Sequence, residues 1–131
     1  PGLAGLCAGV EWILAQGVET LCAKETALAA LFYKNIRDLP NVKIYGDPEM
    51  ALHAPIISLN IGDEDSARIA DILWEDYSIC VRAGAHCAPL MHAYFHTEKQ
   101  GMVRFSFSYY NKEEEVLAAV RGVKTIAAAQ Q

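Results

Sequence analysis

The segment "MVRFSFSYY", Met102 to Tyr110, decides how the chain folds. Val103, Phe105, Phe107 and Tyr109 alternate with Met102, Arg104, Ser106, Ser108 and Tyr110, which is the period of an extended strand. Such a strand has one apolar face, and that face must be covered. The residues just downstream can do so. Asn111 opens a helix, with Glu114 as a capping partner, and Glu113, Glu114 and Glu115 suit the positive end of the helix dipole. Val116, Val120, Val123 and Ala127 then recur along one stripe.

Upstream, "SICVR" (78–82) reads as a short strand. It is preceded by a helix that Asp65 and Ser66 can open, with Ala70, Leu73, Trp74 and Tyr77 as its apolar face. "APIISLNIGD" (54–63) reads as a half-buried strand, with Ile57, Leu59 and Ile61 alternating with Ser58 and Asn60. "NVKIYGD" (41–47) is another, ending in a turn at Gly46-Asp47-Pro48. A long helix from about Val18 to Asp38 carries Leu21, Leu28, Phe32, Ile36 and Leu39 as a stripe and stops at Pro40. Before it, Pro1 to Gln16 has a helical tilt, with Leu6, Val10, Ile13 and Leu14 near one face, and Gly17 breaks the pattern. Gly2, Gly5 and Gly9 follow no strand, so they do not form a phosphate loop. The order is two helices, two strands, helix, two strands, helix. It implies an α+β domain with an about four-stranded, mainly antiparallel or mixed sheet covered by helices on one face.

The 131 residues suffice for one domain with its own core. Hydrophobic residues make up 53%, enough to leave apolar surface for a partner. A net charge of −5 and a pI of about 5.3 speak against nucleic acid or an anionic membrane as partner. No apolar run approaches the roughly 20 residues of a membrane span, and no signal-peptide pattern is present. The chain begins at Pro1 and reads as a piece of something longer. Cys7, Cys22, Cys80 and Cys87 are too few for a disulfide scaffold, which suggests free thiols in a reducing cytoplasm. Cys7, Cys22 and Cys80 read as small buried hydrophobes.

Cys87 is different. It sits in "VRAGAHCAPLMH" (81–92), a polar and tightly turned stretch after a strand. Gly84 frees the backbone on one side and Pro89 stiffens the other. Arg82 and His86 lie close, and nearby cations or turned N–H groups lower a thiol's pKa from its usual value near 8.5. A reactive thiol and a packing thiol both fit this spacing. Arg104 interrupts the apolar strand; it either clamps a carboxylate or covers apolar surface with its stem. His86, Cys87, His92 and His96 also raise a zinc site, but adjacent His86 and Cys87 start one poorly, and no C-x-x-C pair completes it.

Two blocks, "VRAGAHCAPLMH" and then "GMVRFSFSYYNKEEEV", resemble the C-terminal part of cysteine desulfurases of the selenocysteine lyase-like kind, in the class V (NifS-like) aminotransferase family. Family members show an arginine, a small residue, glycine, a variable residue, His-Cys and Ala-Pro, followed by a Gly-x-Val-Arg strand, a Tyr-Asn turn and an acidic helix start. The resemblance covers essentially the whole chain. It implies that Cys87 is the catalytic cysteine that accepts sulfur as a persulfide, and that Arg104 binds the substrate carboxylate. Arg82 and His86 match residues that support the cysteine loop. It implies pyridoxal 5'-phosphate as cofactor, held by a preceding large domain together with its lysine. Lys24, Lys34 and Lys43 lie away from both blocks, so no cofactor-binding residue is named in this chain. On this reading residues 1–17 form a helix linking to the large domain, residues 18–131 form the C-terminal small domain, and the piece alone is inactive. L-cysteine or selenocysteine, a sulfur-acceptor protein and a homodimeric parent follow as partners. Selenocysteine lyase, another class V lyase or aminotransferase, and a cofactor-free α+β binding module remain as alternatives.

Overall fold

The structure is a computed structural model that describes residues 1–47 and 53–130. Among these residues five helices and three strands follow in the order α1 (Gly2–Gln16), α2 (Val18–Ile36), β1 (Val42–Tyr45), β2 (Ile56–Ile61), α3 (Ser66–Tyr77), α4 (Pro89–Phe95), β3 (Val103–Ser106) and α5 (Glu113–Ala128). The strands form one antiparallel sheet in the order β1-β2-β3. Register follows the apolar alternation: Leu59 stands opposite Ile44 on one side and Val103 on the other. A slip of one residue would turn these side chains to the wrong face.

Helices α2, α3 and α5 cover that face. Phe32, Ile36, Ile57, Leu59, Ile69, Leu73, Val103 and Val123 are completely buried there. Phe32 lies 4.5 Å from the Phe105 ring and 5.3 Å from the Phe107 ring, centroid to centroid. Burying one such aromatic side chain is worth about 1.5–3 kcal/mol. The stripe expected for α5, Val116, Val120, Val123 and Ala127, is buried as read, and so are Leu28, Phe32 and Ile36 of α2.

The α+β class with helices on one sheet face holds, but the sheet has three strands where about four were expected. "SICVR" contributes one bridge, Arg82 to Arg104. The cause is local. Ser78 takes the left-handed conformation (φ 56°) to end α3, and the Ile79 N–H turns back to the Leu73 carbonyl at 2.9 Å. That donor is spent on the helix end, and this segment bonds β3 at Arg82 and the residue just before β3, Met102, at Gly84. The strand in "MVRFSFSYY" stops at Ser106, because Ser108 and Asn111 bond to each other in a turn.

Other boundaries shift for similar reasons. The buried face of α3 is Ser66, Ile69 and Leu73, and Trp74 is 59% exposed. At the start of α5 the capping carboxylate is Glu115, not Glu114: its Oε2 accepts from the Lys112 N–H at 3.0 Å and from Asn111 Nδ2 at 3.1 Å. Residues 89–95, of which 89–92 belong to the stretch read as tightly turned, form α4 with Pro89 in its first turn. Gly46 has the positive φ (83°) of the expected turn, whose Pro48 lies outside the described residues.

Helix α1 buries no side chain. It leaves α2 at a bend of 81° through Gly17 (φ 85°). Half-buried Trp12 ties it down, stacked on Tyr110 at 5.6 Å and edge-on to Tyr109 at 5.7 Å. Among the described residues no single helix is long and apolar enough to cross a membrane; α1 and α2 reach that length only as a bent pair. All four cysteines are exposed, which corrects the expectation that Cys7, Cys22 and Cys80 are buried. Cys7 and Cys22 sit on parts of α1 and α2 that nothing covers, and Cys80 lies where the fourth strand fails to pair.

Candidate functional site

Two segments make the site: β3 and the loop between α3 and α4. Arg82 and Arg104 exchange backbone bonds, Arg82 N–H to Arg104 O at 3.2 Å and Arg104 N–H to Arg82 O at 2.7 Å. Residues opposed in this way carry their side chains on the same face. Val103 and Phe105 point into the helix-covered core, so Arg104 and Arg82 share the opposite face, with Ser58 next in the row. Like charges at directly opposed positions of a ladder repel, and an anion between them would relieve this. Among the described residues neither has a carboxylate partner, and the buried Nε of Arg104 has no hydrogen-bond acceptor.

A cavity of about 340 Å³ opens on this face, lined by Tyr45, Ile56, His86, Met91, Phe95 and Arg104 among others. Its walls are mostly aromatic and aliphatic. Phe95 meets Tyr45 edge-on at 5.2 Å, and burial pushes the Tyr45 hydroxyl pKa up. Asn60 on the same sheet face is buried and donates to the Gly101 carbonyl at 2.9 Å.

Cys87 is exposed at the apex of the loop. Both His86 (φ 51°) and Cys87 (φ 57°) are left-handed, a conformation that costs about 1–2 kcal/mol for each residue with a Cβ. The loop start is fastened first. Gly84 N–H is shared between the Met102 carbonyl (3.1 Å) and Ser66 Oγ (3.2 Å), and Met102 N–H returns to the Gly84 carbonyl at 3.2 Å. His86 Nε2 then donates to the same Met102 carbonyl at 2.9 Å. Burial holds the His86 imidazole below the usual histidine range; the Met102 bond opposes this, and the charges of Arg104, His92 and Arg82 reinforce it. Its Nε2 carries the proton given to the Met102 carbonyl, and among the described residues its buried Nδ1 has no partner.

The residues named from the sequence thus fall in one region. Cys87, His86 and Arg82 lie on one loop, and that loop is pinned to the strand carrying Arg104. The zinc grouping does not gather: His92 is buried against Thr97, and His96 is exposed at the left-handed end of α4. No group of three or more His, Cys, Asp or Glu able to hold a metal occurs among the described residues. Of the lysines, Lys24 donates to the Tyr109 carbonyl and lies over its ring, and Lys43 lies over the Tyr45 ring. Among the described residues no lysine lines the cavity. Sequence reading missed Ser66, Thr97 and the Met102 carbonyl. Only Ser66 had a signal, as a helix-opening residue, and that signal said nothing of its bond to Gly84.

Residues 1–118 match the family described as aminotransferase class-V. Among curated relatives, a cysteine desulfurase of Serratia proteamaculans is 30% identical over 125 residues, which is 95% of this chain and 29% of that protein. A probable cysteine desulfurase of Methanothermobacter thermautotrophicus is 34% identical over 117 residues, 88% of this chain and 28% of that protein. Among solved structures, the apo cysteine desulfurase from Thermococcus onnurineus NA1 matches with a TM-score of 0.86 and 30% identity, over 95% of this chain and 30% of that one. The chain spans under a third of the length of these relatives.

Proposed function

From its membership of the aminotransferase class-V family, to which this chain belongs, we propose that it is the C-terminal part of a cysteine desulfurase. Residues 18–131 are its small domain, and residues 1–17 are the helix that leads to the cofactor-bearing part. The bare apolar side of α1, with Leu3, Leu6 and Leu14 exposed, supports that role. The full-length protein is a cytoplasmic homodimer that passes its sulfur to an acceptor protein. Four exposed free thiols are compatible with a reducing compartment.

One observation carries the reading: an exposed Cys87, on a loop pinned to the strand that bears an Arg104 without a carboxylate partner. Arg104, with Arg82 beside it, takes the substrate carboxylate between two guanidiniums. The Cys87 thiolate attacks the sulfur of L-cysteine. The substrate C–S bond breaks, an S–S bond forms on Cys87, and a proton replaces sulfur on the substrate carbon. L-cysteine plus thiol thus gives L-alanine plus Cys87 persulfide. Burial, which lowers the His86 pKa, disfavours a further positive charge beside Arg104 and Arg82. Pyridoxal phosphate belongs to the part of the full-length protein outside this chain.

The test is alanine release from L-cysteine by the full-length protein. Wild type should release alanine, Cys87→Ala should not, and Arg104→Ala should raise KM. Equal release by wild type and Cys87→Ala would remove Cys87 from the chemistry and leave another class V lyase or aminotransferase. Faster turnover of selenocysteine by both would favour the lyase alternative, which does not need the thiol. No release from either substrate would favour a binding module.

A further inference from the structure

The segment carrying Cys87 is held from both sides by histidines. Before it, His86 donates from Nε2 to the Met102 carbonyl at 2.9 Å, beside the Gly84 N–H that uses the same acceptor. After it, the Ala88 N–H closes a turn onto the Ala85 carbonyl at 2.9 Å, and the His92 N–H bonds Ala88 at 3.2 Å. His92 is only 3% exposed, and its Nδ1 lies 2.9 Å from Thr97 Oγ1. The Thr97 N–H returns to the His92 carbonyl at 2.9 Å, and the Gly101 N–H to the Thr97 carbonyl at 2.8 Å. The His86 and His92 rings stand 6.0 Å apart. Both anchors therefore end on the stretch that enters β3, a few residues from Arg104.

A loop with two successive left-handed residues bearing Cβ atoms relaxes when released. Among the described residues His86 provides the side-chain bond that opposes this relaxation next to Cys87. Among the described residues the Nδ1 of His86 has no partner, so the ring's hydrogen bonding there is directed at the Met102 carbonyl.

We infer that His86 and His92 are positioning residues that fix the Cys87 backbone at a set offset from β3, so that the thiol reaches its target by turning about its own side-chain bond while the loop stays in place. The inference rests on the reading of Cys87 as sulfur acceptor. A test with two readouts, of which one needs no activity, separates the two.

The experiment compares His86→Leu, His86→Gln and Thr97→Val in the full-length protein. Glutamine can place an N–H where Nε2–H stands, leucine cannot, and Thr97→Val keeps the shape around His92 while removing its Oγ1 partner. Amide hydrogen exchange over residues 84–92 is the first readout. His86→Leu should speed exchange at Cys87 and Ala88, Thr97→Val should do so over 89–92, and His86→Gln should match wild type. Alanine release is the second. His86→Leu should lower kcat on the order of 10²-fold, the scale of misplacing a reacting group by about 1 Å. KM for L-cysteine should stay unchanged, since Arg82 and Arg104 stay joined by their own backbone bonds, and His86→Gln should restore kcat. Unchanged exchange in His86→Leu, a glutamine variant as impaired as the leucine one, or a KM that rises as kcat falls would each overturn the inference. If wild type releases no alanine, the proposed function fails and the exchange readout still decides the clamp.

Discussion

Gly101→Ala tests the packing beneath the site most directly. Gly101 is buried at φ +68°, and a Cβ there would stand 2.4 Å from Ser66 Oγ, 2.8 Å from Gly84 Cα and 3.2 Å from Gly84 C. The hydroxyl could rotate, but the two carbon contacts are backbone, and backbone yields only if the cysteine loop shifts. Gly84→Ala is the matched control: Gly84 has φ +95° and nothing within 4 Å of its Cβ position. The control carries only the conformational penalty, about 1–2 kcal/mol. Gly101→Ala carries that and an overpacking cost of about 1–3 kcal/mol, so it should lose about 2–5 kcal/mol. Equilibrium urea unfolding by far-ultraviolet circular dichroism, with the midpoint difference scaled by the m-value, measures both. Equal losses for the two variants, to within about 0.5 kcal/mol, would refute the reasoning, because the steric part would then be absent.

Two further outcomes follow from the core and from His86. Phe32→Ala empties the space between Phe105 and Phe107 and should cost about 3–5 kcal/mol in the same unfolding assay. The folded-state pKa of His86 lies below its unfolded value near 6.5, so the unfolded chain binds the extra proton first. His86 therefore favours the fold above about pH 6.5, and this contribution declines as pH falls through that value toward the folded pKa. Midpoints measured from pH 7.5 to 5 should fall more steeply in wild type than in His86→Gln.

Strong periodicity was legible wherever one side of an element is buried. Val103 and Phe105, Ile57 and Leu59, and the α5 stripe all announced their faces because burial selects them. Trp74 misled because it fits the α3 period yet lies at the edge of the covered face, and only tertiary packing decides that. "SICVR" misled because strand propensity is not pairing: the left-handed Ser78 spends Ile79's donor on the helix end. α4 went unread although Pro89 marks its first turn, since its seven residues are too few to show a period. Cys87, Arg104, Arg82 and His86 were legible as a motif, but the hydrogen bonds that join them were not. Those run to carbonyls and to Thr97, and a carbonyl leaves no trace in the sequence.

The sheet order β1-β2-β3 also sets a schedule for folding. β1 and β2 are neighbours in sequence as well as in space, so their pairing closes a short loop early. β3 can join β2 only after α3, the cysteine loop and α4 have been made, and its closure is the more costly in chain entropy. Arg104 and Arg82 meet, and His86 finds the Met102 carbonyl, at that closure. A nascent chain is therefore expected to carry Cys87 as an ordinary flexible thiol until the third strand arrives, and the thiol takes up its held position in the same event that completes the sheet.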